Sequence, residues 1–394
     1  MRDLPGQVGA GGLALIVVTA LAGCGTSARE GDDSVLHVDT LRGGRILVTN
    51  PDPFETPPPR PQLRPPALVE DLRIGSVDDP CSSFGEAFSI AVDDEDRIYV
   101  ADLQSSEIRV FSPEGACLRT FGGAGDGPGE FSWLAGIAWQ RPGLLWAMDA
   151  IKLRLTVFDS LGNALETHRF GHPMGASLPW PMWVAADTTL HISNPGAGTI
   201  EKYGSGPGLT VLGAFRKPTV EYDYYAPSAR TSGDGRVTLQ ELSTVPHSPE
   251  IVFTVDHEGE VWLANQAAFD LHEVSYAGDT VRTVRLRRPP PSLEGRERDS
   301  LAAATGLDAR RLPEYKTVLE AVNVGADGWI WVTGDERTIE AWDVFNANGV
   351  YQGVVVPPVP IERKPFPVYG AGTITGVTRG ELDVEYVVRL RVVR

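Results

Sequence analysis

The sequence predicts an all-β protein: a six-bladed β-propeller, closed by pairing of its N- and C-terminal strands, with one short helical insertion. The main observation is a pattern that occurs five times. It is an apolar triplet centred on an aromatic residue or a histidine, followed 12 or 14 residues later by a second apolar or aromatic anchor. Recurrence of this kind indicates an array of similar supersecondary units. The five centres are Tyr99, Trp146, His191, Trp262 and Trp331.

The spacing of these centres sets the number of blades. Successive centres are 47, 45, 71 and 69 residues apart, and a four-stranded blade takes roughly 40–50 residues. The two long gaps therefore hold one blade and one insertion each, at residues 217–249 and 289–313. The second insertion includes a helix-forming stretch at residues 292–305. A seventh blade within residues 217–250 is the alternative.

Each repeat has the pattern of four short antiparallel strands. In the first repeat, turns rich in Asp, Pro and Gly separate predicted strands at residues 88–92, 97–102, 107–111 and 117–121. Alternation of apolar and polar residues over about five positions between such turns is typical of half-buried strands.

The two ends of the chain account for the sixth blade. Residues 373–378 and 386–392 have strand patterns but are too few for a blade, and residues 67–74 have no partner of their own. Pairing these segments closes the ring and leaves no open sheet edge. We therefore expect the propeller to span residues 67–394.

The N-terminus has the features of a targeting segment. An apolar run at residues 13–21 is too short to span a bilayer as a permanent helix, and it leads into Leu21-Ala22-Gly23-Cys24. Small residues before a cysteine resemble the bacterial lipobox, in which the cysteine is lipidated and becomes the new N-terminus. The resemblance implies a signal peptide over residues 1–23 and a lipid anchor on Cys24. An ordinary signal peptide cut near Ala22 is the alternative.

Residues 24–66 are predicted to be a tether between the anchor and the propeller. Residues 25–33 are polar, and residues 51–66 are dense in proline and therefore extended. Between them, residues 35–50 suggest a small hairpin around Gly43 and Gly44. The spacer either lifts the propeller off the membrane or packs across it.

The residue after the lipobox cysteine bears on the location of the protein. Gly25 is not the aspartate associated with retention at an inner membrane, so the resemblance favours the outer membrane. The expected location is extracytoplasmic, on the periplasmic side of that membrane or at the cell surface.

The net charge of the chain limits the classes of partner that it can bind. The sequence has 35 Lys and Arg against 52 Asp and Glu, a net charge of −17. Nucleic acids and anionic lipid surfaces both need clustered cations. We therefore expect no nucleic-acid partner and no membrane contact beyond the lipid anchor. The expected partner is a protein or a small ligand, and the protein itself is expected to be a monomer.

Two cysteines remain once Cys24 is lipidated. Cys81 lies just before the first blade, and Cys117 begins the fourth strand of that blade. An even pair of cysteines in an oxidising compartment is a disulfide candidate. Two unrelated buried thiols are the alternative.

Polar residues that close the second strand of each blade form the candidate metal site. Equivalent positions on successive blades can converge at one rim of the ring, where carboxylate and amide oxygens suit Ca²⁺. The alternative is that each side chain hydrogen-bonds the backbone of its own turn. No other cofactor is expected. The residues are Asp102, Asp149, Asn194, Asn265 and Asp335.

Aromatic residues form the candidate ligand-binding surface, because exposed aromatic side chains on loops make adhesive patches. Three of the tyrosines lie in the first insertion rather than in a strand. For the tryptophans at 180 and 183, packing between blades is the alternative. The candidate ligand-binding residues are Trp180, Tyr222, Tyr224 and Tyr225, with Trp133 and Trp183 in the same group.

The sequence has none of the usual catalytic motifs. There is no G-x-S-x-G elbow, H-E-x-x-H pair, C-x-x-C pair or P-loop. The glycine-rich residues 122–129 lack the lysine and the following helix of a phosphate-binding loop. No catalytic residue is therefore predicted. The function that fits is a non-enzymatic binding scaffold, a role that rigid folds such as propellers often have.

One segment resembles a known family. Residues 121–131 (FGGAGDGPGEF), followed by Gly136-Ile137-Ala138, resemble the inter-blade signature of NHL-type six-bladed propellers, and residues 89–111 resemble one of their blades. The layout of residues 67–394 is similar to that of secreted bacterial propeller proteins, most of which lack an assigned activity. The competing enzyme class resembles gluconolactonases and amidating lyases. It implies a metal-dependent hydrolase or lyase with a cation in the central channel.

Overall fold

Six antiparallel sheets, or blades, are arranged in a ring in the computed structural model of this protein. The structure describes residues 35–54, 63–169, 179–204, 208–219, 223–225, 243–334 and 338–394. The chain is mostly β, with a single α-helix in the described part. The predicted fold class and the count of six blades are confirmed, and the seven-blade alternative is wrong.

The first three blades follow one another along the chain. The strands of blade 1 are Ala87–Val92, Ile98–Asp102, Glu107–Phe111 and Cys117–Gly122. The strands of blade 2 are Leu134–Gln140, Leu144–Asp149, Arg154–Asp159 and Ala164–Arg169. The strands of blade 3 are Met182–Val184, Leu190–Asn194, Thr199–Tyr203 and Val211–Arg216.

The second half of the ring contains the insertions and the closure. The strands of blade 4 are Ile251–Val255, Val261–Asn265, Asp270–Val274 and Thr280–Leu286. The strands of blade 5 are Ala321–Val324, Ile330–Thr333, Trp342–Phe345 and Tyr351–Val355. The strands of blade 6 are Val368–Tyr369, Thr373–Arg379, Glu385–Val393 and Ala67–Ile74. The short strands Thr338–Ile339 and Ile361–Glu362 pair beside blade 5.

Large side chains fill the interfaces between neighbouring blades. Six clusters of buried apolar residues each join two adjacent blades. Burial of each large apolar side chain contributes about 1.5–3 kcal/mol. The five centres of the sequence repeat are at most 2% exposed: Tyr99, Trp146, His191, Trp262 and Trp331. The repeat therefore marks the packing between blades.

The two ends of the propeller close the ring in one sheet. Ala67–Ile74 is the outermost strand of blade 6 and pairs antiparallel with Glu385–Val393, from Ala67 opposite Val393 to Ile74 opposite Val387. The closure predicted from the sequence is therefore present. The first strand of this blade, Val368–Tyr369, was not predicted.

The N-terminal hairpin belongs to blade 4. His37–Thr40 and Ile46–Asn50 pair antiparallel around Gly43 and Gly44, as the sequence predicts. Ile46–Asn50 also pairs in parallel with Thr280–Leu286, the outer strand of blade 4. The hairpin thus extends a propeller sheet, so the expected boundary at residue 67 leaves out a segment that pairs with the blades.

The insertions pack against each other. The second contains the helix Gly295–Thr305, which ends at Gly306 in the left-handed region with φ of 72°. Val245, at the end of the first insertion, packs with Leu293 and Leu312 of the second. The first insertion also contributes the paired strands Tyr224–Tyr225 and Ser243–Thr244. None of the helices described in the structure is long and apolar enough to span a membrane.

Candidate functional site

The main concave feature of the described residues is a channel along the axis of the ring. It has a volume of about 440 Å³, within the range of roughly 300–1,000 Å³ that small-molecule pockets occupy. Its wall includes residues of all six first strands: Ala87–Val92, Leu134–Gln140, Met182–Val184, Ile251–Val255, Ala321–Val324 and Val368–Tyr369. The channel is therefore the candidate binding site.

Aromatic side chains form part of the channel wall, and packing holds them in place. Trp139 stacks on Tyr99 with ring centroids 5.2 Å apart and planes inclined by 27°. Trp183 packs against Phe253 with centroids 5.9 Å apart. Trp139, Trp183 and Phe253 all border the channel. Aromatic rings fixed in this way suit flat or apolar ligand groups.

One end of the channel, which we call the cationic mouth, is formed by Glu320, Arg363 and Lys364. Arg363 Nη2 lies 2.8 Å from Glu320 Oε1. The other carboxylate oxygen of Glu320 accepts a hydrogen bond from Gln266 Nε2 at 2.9 Å. The charges of Arg363 and Glu320 therefore compensate each other.

Lys364 differs from the other charged residues at this mouth. It is exposed, and none of the described carboxylates forms an ion pair with it. Partial burial and repulsion from Arg363 lower the pKa of its ammonium group. Lys364 is thus a cation without a protein counter-ion at the channel.

Among the described residues of the channel wall, Thr333 and Trp139 each have a buried polar atom without a protein partner. The Oγ1 atom of Thr333, a residue that is 3% exposed, makes no hydrogen bond, and neither does the Nε1 atom of Trp139. A buried polar atom without a partner costs about 1–3 kcal/mol. Thr333 also connects to the cationic mouth, because its carbonyl accepts a 2.8 Å hydrogen bond from the backbone N–H of Glu320.

The opposite end of the channel carries acidic residues, and we call it the acidic mouth. Asp256, Glu258 and Asp327 line a smaller cavity there, next to the ends of the first strands of blades 4 and 5. Asp256 Oδ2 accepts a 2.9 Å hydrogen bond from Trp262 Nε1. Asp327 forms an ion pair with Arg394. The two mouths therefore differ in charge.

Two predicted metal ligands, Asp102 and Asp149, occupy equivalent positions on neighbouring blades. Asp102 Oδ2 accepts a 3.0 Å hydrogen bond from the backbone N–H of Gly85 and lies 3.0 Å from Arg109 Nη2. Asp149 Oδ2 accepts a 2.9 Å hydrogen bond from the N–H of Ser132. Both residues are fully buried, and each carboxylate stabilises its own blade.

The predicted amide ligands also bond to their own turns. The side-chain oxygen of Asn194 accepts from the N–H of Ala197 at 3.1 Å, and that of Asn265 accepts from Ala267 at 2.9 Å. Asp335 lies outside the described residues. Within the described ranges, no group of three or more His, Cys, Asp or Glu residues is placed to hold a metal. These contacts match the alternative given above, in which each side chain hydrogen-bonds the backbone of its own turn. The Ca²⁺ site stays a prediction.

The predicted aromatic ligand residues fall in different places. Trp180 is 3% exposed and packs in the cluster between blades 2 and 3, with its edge at the channel. The backbone of Tyr224 and Tyr225 forms a short strand. Tyr222 lies outside the described residues. Of the predicted aromatic group, the structure places Trp180 and Trp183 at the channel.

Cys81 and Cys117 lie together, as their positions in the sequence suggest. The structure joins them as a disulfide with Cα atoms 6.3 Å apart. Cys81 is in the loop between the closing strand and blade 1, and Cys117 begins the outer strand of blade 1. The bond therefore links the point of closure to the next blade.

The residues of the cationic mouth were missed from the sequence. The one signal in the sequence was the adjacent basic pair Arg363 and Lys364, which precedes two prolines in an acidic chain. This pair could be placed at the channel only by recognising the next strand, Val368–Tyr369, and two residues are too few to show a strand pattern.

Comparison with known proteins finds solved structures that resemble this one. No protein-family model matches this chain, and no curated protein matches it either. A catalytically inactive variant of virginiamycin B lyase from Staphylococcus aureus, solved with quinupristin, is 11% identical, with a TM-score of 0.46 over 83% of this chain and 99% of that chain. A member of the DUF4221 family from Bacteroides vulgatus is 10% identical, with a TM-score of 0.49 over 83% of this chain and 98% of that chain. Likenesses of this degree carry no information about the function of this chain.

Proposed function

We propose that this protein is an extracytoplasmic, lipid-anchored propeller that binds a small ligand in its central channel and does not transform it. The observation that carries the proposal is the channel itself. It has the volume of a small-molecule site, rigid aromatic walls and unpartnered polar groups in those walls. Sites that combine apolar walls with a few convergent polar groups are typical of ligand binding.

The binding role rests on the chemistry of the residues that line the channel. Its acids are engaged: Glu320 by Arg363 and Gln266, and Asp256 by Trp262. General acid–base catalysis needs a group free to exchange a proton with the substrate. A wall whose carboxylates are occupied is better suited to holding a ligand than to turning it over.

The proposed location rests on the N-terminal sequence. Lipidation of Cys24 after a signal peptide would hold an acidic domain at a membrane surface, since each buried methylene of an acyl chain contributes about 0.8 kcal/mol. The NHL-type signature at residues 121–131 also supports this location, because it resembles the signature of secreted bacterial propeller proteins. The Cys24→Ser precursor should lose labelled palmitate and move to the soluble fraction. Unlabelled, fully soluble wild-type protein would contradict the anchor and leave the channel proposal untouched.

The binding proposal is tested by native mass spectrometry of the protein purified from its own membranes. We expect a small molecule to co-purify and to be released unchanged on denaturation. Asn323→Trp places a large side chain in the channel wall and should abolish retention. Asn348→Trp adds the same side chain in an exposed turn of the same blade and should retain the molecule. Equal retention by the two variants, or stoichiometric Ca²⁺ or Zn²⁺ in the purified protein, would contradict a binding-only channel.

A further inference from the structure

The charges that face the channel leave one cation uncompensated. Six charged or titratable residues of the described part line it: Asp256, His257, Glu320, Arg363, Lys364 and Tyr369. Glu320 is paired with Arg363, and the Asp256 carboxylate accepts from Trp262. Lys364 has no carboxylate partner among the described residues. In a chain with 52 acidic residues against 35 basic ones, a lysine without a carboxylate partner at a channel mouth is available to bind an anion from outside the protein.

We propose that the ligand of this channel is an organic monocarboxylate with an apolar or aromatic body, whose carboxylate binds at Lys364 and whose body lies along the aromatic wall. This inference rests on the proposed function, because it names the ligand class of the same channel. Bound carboxylate would supply the counter-ion that Lys364 lacks, and charge-assisted hydrogen bonds are roughly twice as strong as neutral ones.

One further group near the cationic mouth bears on carboxylate binding. Thr333 lines the channel and is 3% exposed, and its hydroxyl oxygen, which has almost no accessible surface, has no hydrogen-bond partner. It connects to the cationic mouth through Glu320, whose N–H bonds to the Thr333 carbonyl and whose side chain pairs with Arg363. Rotation of the Thr333 side chain would be needed for this hydroxyl to donate to a carboxylate bound at Lys364.

The remainder of the channel fits the body of such a ligand. Trp139, Trp183 and Phe253 border the channel. Trp139 packs on Tyr99, and Trp183 and Phe253 pack on each other. Lys217, with its ammonium nitrogen 4.4 Å from the Phe253 ring centroid, adds positive charge behind this wall.

The charge difference between the mouths fixes the orientation. Asp256, Glu258 and Asp327 lie at the acidic mouth, where a carboxylate would be repelled. Such a ligand would therefore place its acid group at the cationic mouth and its apolar end toward the interior. A dianionic phosphate fits less well, because Arg363 is already paired with Glu320 and, among the described residues that line the channel, Lys364 is the cation without a carboxylate partner.

Titration calorimetry with matched probes tests the inference on the full-length protein. The probes are 3-phenylpropionate, its neutral amide 3-phenylpropionamide, and phenyl phosphate. We expect the carboxylate to bind at least about tenfold more tightly than the amide. Lys364→Met should remove that preference, and Lys364→Arg should keep it. Lys316→Met is the matched control, because Lys316 pairs with Glu297 in the insertion, away from the channel, and it should bind as wild type does.

The outcomes separate this inference from the proposed function. Equal binding of carboxylate and amide, abolished by Asn323→Trp, would overturn the carboxylate inference and leave the channel as a binding site. Tighter binding of phenyl phosphate would also overturn it. Binding that survives Asn323→Trp would place the ligand elsewhere and contradict both proposals. Failure of every probe to bind would overturn the carboxylate inference, while the co-purification experiment decides the proposed function.

Discussion

Single buried polar residues join neighbouring blades at several points of the ring. Asn50, which is 1% exposed, connects the N-terminal hairpin, blade 4 and blade 5. His191 lies between blades 3 and 4, bonded to the hydroxyls of Thr189 and Tyr276. Because these groups are enclosed, their hydrogen bonds cannot be replaced readily by water. Substitution of such a residue should therefore lower the free energy of unfolding by more than the loss of a few exposed atoms would.

Asn50→Ala should destabilise the propeller. The Asn50 side chain donates to the carbonyls of Arg285 and Gly349 at 3.1 and 2.9 Å and accepts from the N–H of Tyr351 at 2.8 Å. Its loss leaves buried backbone groups unpaired, which costs about 1–3 kcal/mol each. We expect a loss of roughly 3 kcal/mol in the free energy of unfolding by urea. Asn348→Ala, in an exposed turn, is the control, and equal stability of the two variants would contradict the role of Asn50.

His191 should make the stability fall in mild acid. Burial, with a smaller contribution from Lys202, lowers the pKa of His191 from 6.5 to about 4. Between those pH values the unfolded chain binds a proton that the folded protein does not, so stability decreases as the pH falls from 6.5 toward 4. The contribution by pH 4.5 is roughly 2–3 kcal/mol, and above pH 6.5 it vanishes.

The measurement is the free energy of unfolding at pH 7 and pH 4.5 for wild type and His191→Gln. The pKa of His272 is also lowered by burial, but this residue titrates in both proteins, so the difference isolates His191. The variant should show the shallower pH dependence. Parallel curves would mean that His191 is not buried in its neutral form.

At the scale of elements, strand patterns predicted the blades well where the strands are long. The four strands of blade 1 agree with the prediction to within one residue at each end, because alternating residues are bounded there by turn residues such as Gly115. Met182–Val184 and Val368–Tyr369 were missed because two or three residues give no period. Both are first strands and line the channel, so the shortest elements are those on which the candidate site depends.

A disulfide between Cys81 and Cys117 should fasten the loop after the closing strand. Cys81→Ser should lower the free energy of unfolding by about 2–4 kcal/mol under oxidising conditions, because the crosslink restricts the unfolded chain. Under reducing conditions the variant and wild type should have the same stability. Two free thiols in denatured, unreduced protein, beyond any at Cys24, would show that the bond does not form.

At the scale of the whole molecule, closure depends on strands from opposite ends of the chain. A variant that lacks residues 67–74 exposes the edge of Glu385–Val393, and open edges lead to aggregation. A variant that lacks residues 35–54 loses the hairpin but keeps the closed ring. We expect the first to aggregate and the second to remain folded with reduced stability, as judged by size-exclusion chromatography and circular dichroism. A monomeric, folded first variant would contradict the closure argument.

The fold of the ring was more predictable than its candidate site. Recurrent buried centres such as Tyr99 and Trp146 appear at regular spacing, since each blade repeats the same packing. The channel brings together Trp139, Thr333 and Lys364, which lie on different blades or connectors and share no motif. Their proximity follows from the geometry of the ring, so single-sequence patterns carry no signal for it.

The most direct test of this account is an experimental structure of the protein purified from its own membranes. We predict density for a small organic molecule in the central channel. The molecule should lie between the cationic mouth at Lys364 and the wall that Trp139 and Phe253 form. Density for such a molecule only on the outer surface of the ring would contradict the account. So would a metal ion held by protein oxygens within the channel.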